Sequence, residues 1–300
     1  MIKPYIIEEG VTARGEQYVK VGGCGNFSVM KTFDCGQAFR FDPVELPGYS
    51  TAFSGIAFGR HVTFCEDEGE FEDGTRITVI GSDARDFESI WCHYLALDTD
   101  YDEIDRAIVE SIPDPRDRDE MRKAVECGSG IRILRQDSFE CLISFIISQN
   151  NNIPRIKKII TSLCEKYGEN GAFPTAEALS RAGVENIFAL RTGFRAGYIY
   201  DAAEKVLSGE VDLAEIDACE DYDRAAEMLC RIKGVGPKVS ACVLLFGFGK
   251  TEAFPIDVWM RRSLERHFTP EFDPAVLKKN AGIAQQYLFY YERWALGGDK

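Results

Sequence analysis

The spacing of apolar residues changes near residue 120, and this change constrains the fold more than any other feature. Before it, short segments rich in β-branched and aromatic residues alternate with turn signals, as in YVKVGG, FSVMKTF, GIAFGRHVTFC and TRITVIG. Such segments predict an antiparallel sheet. One stretch there, FESIWCHYLAL (residues 87–97), has apolar residues three and four apart and predicts a helix.

From residue 120 onward the pattern is helical almost throughout. SFECLISFIISQNN predicts a strongly apolar helix, and IPRIKKIITSLCEKYG predicts an amphipathic one that stops at Gly168. Further helices are predicted over residues 175–182, 184–190, 195–208, 221–232, 238–247, 257–267 and 281–296. The sequence therefore predicts an α+β protein, with an antiparallel sheet domain over residues 1–120 and a helical domain over residues 121–300.

The formal charge of −14 argues, taken alone, against a nucleic-acid partner. Its distribution weakens that argument, because residues 1–120 hold 25 Asp and Glu against 11 Lys and Arg, whereas residues 121–300 hold 24 of each. The acidic excess is therefore confined to the first 120 residues, where it is typical of a solvated face. The helical part remains free to carry a local basic surface.

Targeting and cysteine patterns predict a cytoplasmic protein with no membrane contact. The N-terminus MIKPYIIEEG lacks a secretory pattern, and no run of about 18 apolar residues occurs. The ten cysteines include no Cys-x-x-Cys pair, and none follows Cys242. We expect them to be mostly reduced core residues, with no bound metal and no cofactor.

Two helical segments, DYDRAAEMLCRIK and KVSACVLLFGFG, are joined by the short turn GVGP. Gly234 and Gly236 let the backbone bend tightly and approach another molecule closely, and Pro237 suits the first turn of the second helix. Free N–H groups there form an anion site suited to a DNA phosphate, and a monovalent or divalent cation could bind the turn's carbonyls. Any tight connection between helices can use such a turn, so this motif alone is weak evidence.

Lys238 and Asp257 are the candidate catalytic residues. Lys238 begins the second helix of the hairpin, where the helix dipole disfavours an ammonium, and a partly desolvated amine there could act as a nucleophile. Asp257 follows Pro255 in AFPIDVWMRRSL and begins another helix. A surface lysine and a simple helix cap are the alternative interpretations. One helix and one return loop separate the two residues, which is enough chain to bring them to the same pocket.

The run LCRIKGVGPKVSACVLLFGFGKTEAFPIDVWM resembles the helix-hairpin-helix and Gly/Pro-Asp signature of the base-excision DNA glycosylases. The resemblance implies that Lys238 marks a bifunctional glycosylase/lyase and that Asp257 is the catalytic aspartate. Relatives of endonuclease III usually carry four cysteines after this motif for an iron–sulfur cluster. The absence of cysteine beyond Cys242 disfavours that branch.

Four other stretches resemble the 8-oxoguanine DNA glycosylase branch: FDCGQAFRF, ISQNNNIPRI, TGFRAGY and AGIAQQYLF. The resemblance implies a TBP-like sheet domain followed by a helical glycosylase domain. It also implies that the Gly36 carbonyl accepts the N7–H of 8-oxoguanine and that Gln285 reads the Watson–Crick edge of the base. Phe289 and Cys242 would stack on the two faces of that base. A turn glycine and ordinary core packing are the alternatives for these positions.

The triplet NNN at residues 150–152 is unusual after an apolar helix. Three carboxamides there could cap a helix or enter the gap that a flipped base leaves. The resemblance assigns Asn150 to the orphaned cytosine, with Arg155 and Arg195 donating to its acceptor edge. Surface ion pairs are the alternative for both arginines. Asn151, Asn152, Phe194 and Val235 complete the predicted DNA-binding set; residue 194 is a tyrosine in many eukaryotic members.

The resemblance therefore implies base-excision repair of 8-oxoguanine, preferably opposite cytosine, in duplex DNA by a monomer. Neutral Lys238 would attack C1′ of the flipped nucleotide, form a Schiff base and nick the strand by β-elimination, without redox cofactor or catalytic metal. Three alternatives stay open at this point. They are a glycosylase for other oxidised or alkylated bases, a non-catalytic helix-hairpin-helix DNA-binding module, and a purely structural acidic protein.

Overall fold

A six-stranded sheet occupies the first part of the chain in the computed structural model, which describes residues 3–295. Its strands are β1 (Tyr5–Val11), β2 (Gln17–Gly22), β3 (Phe41–Pro43), β4 (Tyr49–Ala57), β5 (Arg60–Asp67) and β6 (Ile77–Ile80). Their order across the sheet is β1-β2-β6-β5-β4-β3. Strand β2 pairs antiparallel with β1 and β6, β5 with β6, and β3 with β4. The predicted antiparallel sheet is confirmed.

The helices follow the order predicted from the sequence, with several additions. They are α1 (Val29–Phe33), α2 (Ala84–Asp86), α3 (Cys92–Tyr94), α4 (Tyr101–Glu110), α5 (Pro115–Gly128), α6 (Ser138–Ser148), α7 (Ile153–Tyr167), α8 (Ala176–Ile187), α9 (Arg195–Ser208), α10 (Leu213–Ala218), α11 (Tyr222–Cys230), α12 (Pro237–Phe248), α13 (Val258–His267) and α14 (Ala281–Tyr290). Single π-helical turns occupy Phe87–Trp91, Phe188–Thr192 and Tyr291–Ala295, and a 3₁₀ segment occupies Pro274–Asn280.

One predicted strand is wrong. The segment FSVMKTF (residues 27–33) was predicted to be a strand of the sheet, but it contains the short helix α1. Ser28 has extended backbone angles, and its hydroxyl accepts the Lys31 N–H at 3.4 Å, so it begins the helix as an N-cap. The apolar side chain of Phe33 then stacks on Phe64 of the sheet, with ring centroids 5.2 Å apart. Tertiary packing of the helix onto the sheet outweighs the β-propensity of the segment.

The chain divides into two compact units. The first comprises residues 1–55, 61–135 and 256–300, and the second comprises residues 56–60 and 136–255. In the first unit, aromatic side chains pack in the core. The ring centroids of Phe64 and Trp91 lie 5.5 Å apart and those of Trp91 and Tyr94 lie 5.8 Å apart, and both pairs meet edge to face. The division at residue 120 stays a prediction, and α5 runs through that position.

The second unit is a bundle of the helices α6–α12. Helix α6 packs against α12, where the rings of Phe145 and Phe246 stack with centroids 5.4 Å apart. Gly247 permits this close approach, because a Cβ built there would lie 3.0 Å from Cys141 Cβ. None of the helices within residues 3–295 combines the length and the apolar character that crossing a membrane requires.

Candidate active site and DNA-binding surface

The predicted hairpin connects α11 to α12, and Gly234 is required at its bend. Gly234 has φ = +82°, and a Cβ built on it would lie 2.2 Å from Tyr198 Cδ2. The bend is also tied to α9, because the Lys233 N–H donates to Asp201 Oδ2 at 2.7 Å. Val235 is buried and anchors the turn from within. A backbone held at both ends in this way presents its N–H groups in a fixed direction.

The second glycine of the hairpin has a different role. Gly236 is the N-cap of α12, with φ = −109°, and a Cβ built on it would meet open space. No side chain caps the first turn of α12, and Pro237 occupies its N-terminal position. No side chain therefore occupies the amide groups at this helix start, and the phosphate site there stays a prediction.

Lys238 lies in the first turn of α12 and is exposed, with Nζ 5.9 Å from the centroid of the Phe145 ring. The predicted position at a helix start is confirmed. The amine is exposed to solvent in the free protein. Another molecule would have to cover Lys238 before its amine is desolvated. Lys238 is therefore an exposed amine beside the turn for which the sequence predicts an anion site.

Cys242 lies one turn after Lys238 in α12 and is only 4% exposed. It faces α6, where burial raises the pKa of the Cys141 thiol and the neighbouring Cys242 adds to the rise. The Cys242 side chain thus lies in a buried, apolar setting between two helices, where it packs as a small hydrophobic group.

The asparagine triplet lies between α6 and α7, and its three members have different tasks. Asn150 is exposed and has φ = +47°, a left-handed conformation that asparagine tolerates. The Asn151 carboxamide donates to the Ile147 carbonyl at 3.1 Å and so closes α6. Asn152 caps α7 by accepting the Arg155 N–H at 3.0 Å. Helix capping thus accounts for Asn151 and Asn152 and leaves the Asn150 side chain facing solvent.

The Arg195 side chain is buried and donates hydrogen bonds to the backbone at the start of the asparagine triplet. The side chain is 3% exposed, and its guanidinium donates to the carbonyls of Gln149 and Thr192 and, at 2.9 Å, to that of Asn150. Burial lowers the pKa of Arg195, and the nearby positive charge of Arg155 lowers it further. The left-handed backbone at Asn150 is therefore held by a buried cation rather than by the helix before it.

Phe194 and Arg155 lie on the exposed side of the same region. Phe194 is 57% exposed, stacks on the Arg195 guanidinium at 4.4 Å and meets the Tyr198 ring edge to face at 5.8 Å. Arg155 is exposed and donates to the Arg191 carbonyl at 3.3 Å. Because Tyr198 also contacts Gly234, helix α9 connects the asparagine triplet to the hairpin through consecutive side-chain contacts. Tyr198 was not singled out from the sequence.

The first unit contains three of the four predicted base-recognition residues, Gly36, Gln285 and Phe289. Gly36 has φ = +81°, and a Cβ built on it would lie 3.8 Å from Phe289 Cε1, so the turn and the ring are neighbours. Gln285 is buried in α14, one helical turn before the half-buried Phe289. Among the described residues no hydrogen bond reaches the Gly36 carbonyl. The structure therefore brings Gly36 and Phe289 together as the resemblance implies.

Two further glutamines around the Gly36 turn were missed. Gln37 is 1% exposed, and its amide donates to the carbonyls of Thr32 (2.9 Å) and Arg132 (2.8 Å) while accepting from the Leu134 N–H. Gln286 donates to the Cys35 carbonyl at 2.7 Å. A polar residue inside an otherwise apolar helix was the only sequence signal for Gln286, and its partner lies 251 residues away.

Asp257 is the N-cap of α13, as predicted. Its Oδ1 accepts the Met260 N–H at 2.8 Å, and its carbonyl accepts the Arg261 N–H at 3.0 Å. The side chain is half-buried. The helix cap uses Oδ1 of Asp257. The catalytic role predicted for this residue would therefore fall to Oδ2. The described residues contain no group of three or more His, Cys, Asp or Glu side chains arranged to hold a metal ion.

Family models cover most of the chain. Residues 24–142 match the model described as 8-oxoguanine DNA glycosylase, N-terminal domain. Residues 143–280 match the HhH-GPD superfamily base excision DNA repair protein. The two models meet within α6, after Leu142. The Gly36 turn falls within the first match, and the hairpin with Lys238 and Asp257 falls within the second.

Solved structures resemble the chain over nearly its whole length. One is MBOgg1 in complex with a low-affinity DNA ligand, which is 37% identical with a TM-score of 0.83, covering 98% of this chain and 99% of that one. Another is the Clostridium acetobutylicum 8-oxoguanine glycosylase/lyase in complex with double-stranded DNA containing cytosine opposite 8-oxoguanine. It is 33% identical with a TM-score of 0.81, covering 99% of this chain and 100% of that one.

Among curated proteins, a probable N-glycosylase/DNA lyase of Methanothermobacter thermautotrophicus is 34% identical over 206 residues. That match covers 56% of this chain and 65% of the relative. The matches span between 42% and 65% of the length of the first curated relatives.

Proposed function

Because the chain belongs to the 8-oxoguanine DNA glycosylase family of the HhH-GPD superfamily, we propose that it removes 8-oxoguanine from duplex DNA in base-excision repair, preferably opposite cytosine. One observation carries the proposal. An exposed lysine, Lys238, stands in the first turn of the helix that follows the Gly-Val-Gly hairpin. An amine in that place can reach a nucleotide whose phosphate the hairpin holds.

Binding begins at the hairpin. The amide groups around Gly236 bind a backbone phosphate of the lesion strand, with a cation at the turn's carbonyls as a further part of the proposal. This contact uses backbone dipoles rather than surplus positive side chains. It is therefore compatible with a chain whose formal charge is −14. Since the first 120 residues hold the acidic excess, salt dependence should be set by the helical part.

The flipped base is read by three groups of the first unit. The Gly36 carbonyl accepts N7–H, which 8-oxoguanine has and guanine lacks, and this single bond can discriminate because guanine would present a lone pair to the same acceptor. Gln285 bonds the Watson–Crick edge, and Phe289 stacks on one face of the base. Cys242, in the second unit, is assigned to the other face.

The gap left by the base is filled from the asparagine triplet. We assign the exposed Asn150 to the orphaned cytosine and Arg155 to its acceptor edge, with Phe194 as the apolar wedge. Arg195 belongs to the same set by resemblance. In the free protein its N–H groups bond the carbonyls of Gln149, Asn150 and Thr192, so a contact between Arg195 and cytosine requires some of these bonds to be exchanged.

The chemistry proceeds by nucleophilic displacement. Neutral Lys238 Nζ attacks C1′, the N-glycosidic bond breaks and the base leaves with the bonding electron pair. The sugar ring then opens to give a Schiff base between Lys238 and C1′. Loss of a C2′ proton and of the 3′ phosphate by β-elimination nicks the strand. Asp257 stabilises the positive charge that develops on the sugar and assists proton transfer.

Borohydride trapping tests this proposal. Duplex DNA with one 8-oxoguanine opposite cytosine is incubated with the protein, and we expect a covalent adduct that Lys238→Gln abolishes. Lys233→Gln is the matched control, because Lys233 is an exposed lysine of the same hairpin outside the assigned chemistry. An adduct of undiminished yield with Lys238→Gln, or none with the unaltered protein, contradicts the mechanism.

A substrate panel separates the alternatives. Duplexes with 8-oxoguanine, 3-methyladenine or an oxidised pyrimidine are compared at equal protein concentration, each opposite every base. We expect the highest single-turnover rate for 8-oxoguanine opposite cytosine. A non-catalytic DNA-binding module would bind all duplexes and cleave none, and a structural acidic protein would show no DNA affinity that falls with rising salt.

A further inference from the structure

Two buried carboxamides fix the backbone on both sides of Gly36. Gln286 is 3% exposed, and its Nε2 donates at 2.7 Å to the carbonyl of Cys35, the residue before Gly36. Gln37, the residue after Gly36, is bonded to the backbone of Thr32, Arg132 and Leu134. The turn is therefore held in place by side chains and not only by its own conformation.

The two anchors act on different peptide groups. The Cys35 carbonyl belongs to the peptide that enters Gly36, and the Gly36 carbonyl belongs to the peptide that leaves it. Glycine in the left-handed region has no Cβ to restrict it, so the orientation of the outgoing carbonyl depends on how the flanking groups are fixed. Gln37 fixes the residue after the turn, and Gln286 donates to the carbonyl of the residue before it.

Gln286 also connects the turn to the base-recognition helix. It is adjacent in α14 to Gln285, and Phe289 of the same helix lies beside Gly36. Helix α14 thus carries Gln285 and Phe289, which are assigned to the edge and the face of the base. It also carries Gln286, which bonds the residue before the Gly36 carbonyl assigned to N7–H. A single rigid element can keep the three at fixed relative positions.

We propose that Gln286 is a positioning residue for lesion discrimination: its bond to the Cys35 carbonyl sets the direction of the Gly36 carbonyl. This inference rests on the proposed function, in which the Gly36 carbonyl accepts N7–H. Without the bond, the Cys35–Gly36 peptide can rotate, and the direction of the Gly36 carbonyl is no longer fixed. The buried Cys35 carbonyl also loses its donor, which favours rotation toward another partner.

The Cys35 thiol also contacts the two carboxamides: Gln37 Nε2 donates to Sγ at 3.3 Å, and hydrogen bonding from Gln286 and Gln37 partly offsets the effect of burial on the pKa of the thiol. Burial raises the pKa of the Cys35 thiol to about 12, so the side chain stays neutral beside the turn. The thiol donates to the Thr32 carbonyl at 3.2 Å. Serine retains this donor, so Cys35→Ser preserves both the local hydrogen bond and the backbone carbonyl that Gln286 contacts.

The experiment compares Gln286→Met with Cys35→Ser in the full chain. Methionine matches the length of glutamine and cannot donate a hydrogen bond. Two rates are measured for each variant under single-turnover conditions: excision of 8-oxoguanine opposite cytosine, and strand cleavage at a preformed abasic site, which contains no base to recognise. The active fraction is set by borohydride trapping on the abasic duplex.

With Gln286→Met we expect excision to fall about tenfold, the scale of one well-oriented hydrogen bond, and abasic cleavage to stay within about twofold. In a Lys238→Gln background, the preference for binding 8-oxoguanine over guanine opposite cytosine should also fall about tenfold. Cys35→Ser should keep both rates and the binding preference. Gln286→Asn, which keeps a buried carboxamide but is one methylene short, should show the same selective loss.

Proportional loss of excision and abasic cleavage in both Gln286 variants would assign Gln286 a purely structural role and overturn the proposal. Unchanged rates and binding preference would overturn it equally. If the unaltered protein neither excises 8-oxoguanine nor cleaves abasic DNA, the proposed function itself fails, and that outcome is distinct from both.

Discussion

The backbone of Gly234 lies directly against the ring of Tyr198, so that a Cβ built on Gly234 would be 2.2 Å from Cδ2 of the tyrosine. Gly234 also has φ = +82°. We therefore expect Gly234→Ala to destabilise the protein by about 2–4 kcal/mol through backbone strain and displacement of Tyr198. Urea unfolding measures the change. An unaltered midpoint would mean that the hairpin can move away from Tyr198 without cost.

Gly236→Ala is the matched comparison two residues later. At φ = −109° with open space around the Cβ position, alanine should change the free energy of unfolding by less than about 0.5 kcal/mol. The added methyl group points into the space assigned to the phosphate, so we expect duplex affinity to fall by about fivefold or more. Fluorescence anisotropy with a labelled duplex measures this, and unchanged affinity would place the phosphate elsewhere.

Two variants separate the helix-cap role of Asp257 from the chemical role that we propose for it. Asparagine can still accept the Met260 N–H, so Asp257→Asn should keep stability while excision falls about a hundredfold or more. Asp257→Ala should lose the same activity and, in addition, about 1 kcal/mol of stability with the cap. Thermal melting and single-turnover excision are the two measurements. Full activity in Asp257→Asn would remove the carboxylate from the mechanism.

Arg195 and Arg155 should respond differently to replacement by methionine. Arg195 is buried and donates to three backbone carbonyls, so Arg195→Met should destabilise the protein by about 3 kcal/mol and loosen the backbone at Asn150. Arg155 is exposed, so Arg155→Met should cost less than about 1 kcal/mol and mainly weaken the preference for cytosine. Denaturant unfolding and excision opposite each base check both expectations. Equal stability of the two variants contradicts the structural role of Arg195.

Thiol reactivity should follow burial and depend on pH. Burial raises the pKa of Cys35 and of Cys65 to about 12, and only the thiolate reacts with iodoacetamide. At pH 8 about one in ten thousand of these thiols is ionised, so native protein should be labelled first at the exposed Cys230. Peptide mass spectrometry at pH 8 and 9 should show labelling of Cys35 rise about tenfold. Rapid labelling of Cys35 at pH 8 would show that the Gly36 turn opens.

The starts of helices α12 and α13 were predictable because their signals are local. Pro237 after two glycines predicts where α12 begins, and an aspartate after a Pro-Ile pair predicts the N-cap of α13; the structure confirms both. A cap bonds an amide only two or three residues away. Such contacts can be predicted directly from the order of residues in the chain. The same holds for the β-branched and aromatic segments, separated by turn signals, that predicted the antiparallel sheet.

The partners of buried polar groups were not predictable in the same way. Arg195 was expected at a surface, yet it is buried beneath a backbone segment about 45 residues away along the chain. Gln286 bonds a carbonyl 251 residues distant, and FSVMKTF forms a helix because Phe33 packs on the sheet. The sequence alone thus determined the order of sheet and helices, the hairpin and the positions of Lys238 and Asp257. Tertiary structure decided which polar side chains support the recognition turns, because a buried donor takes the acceptor that packing brings to it.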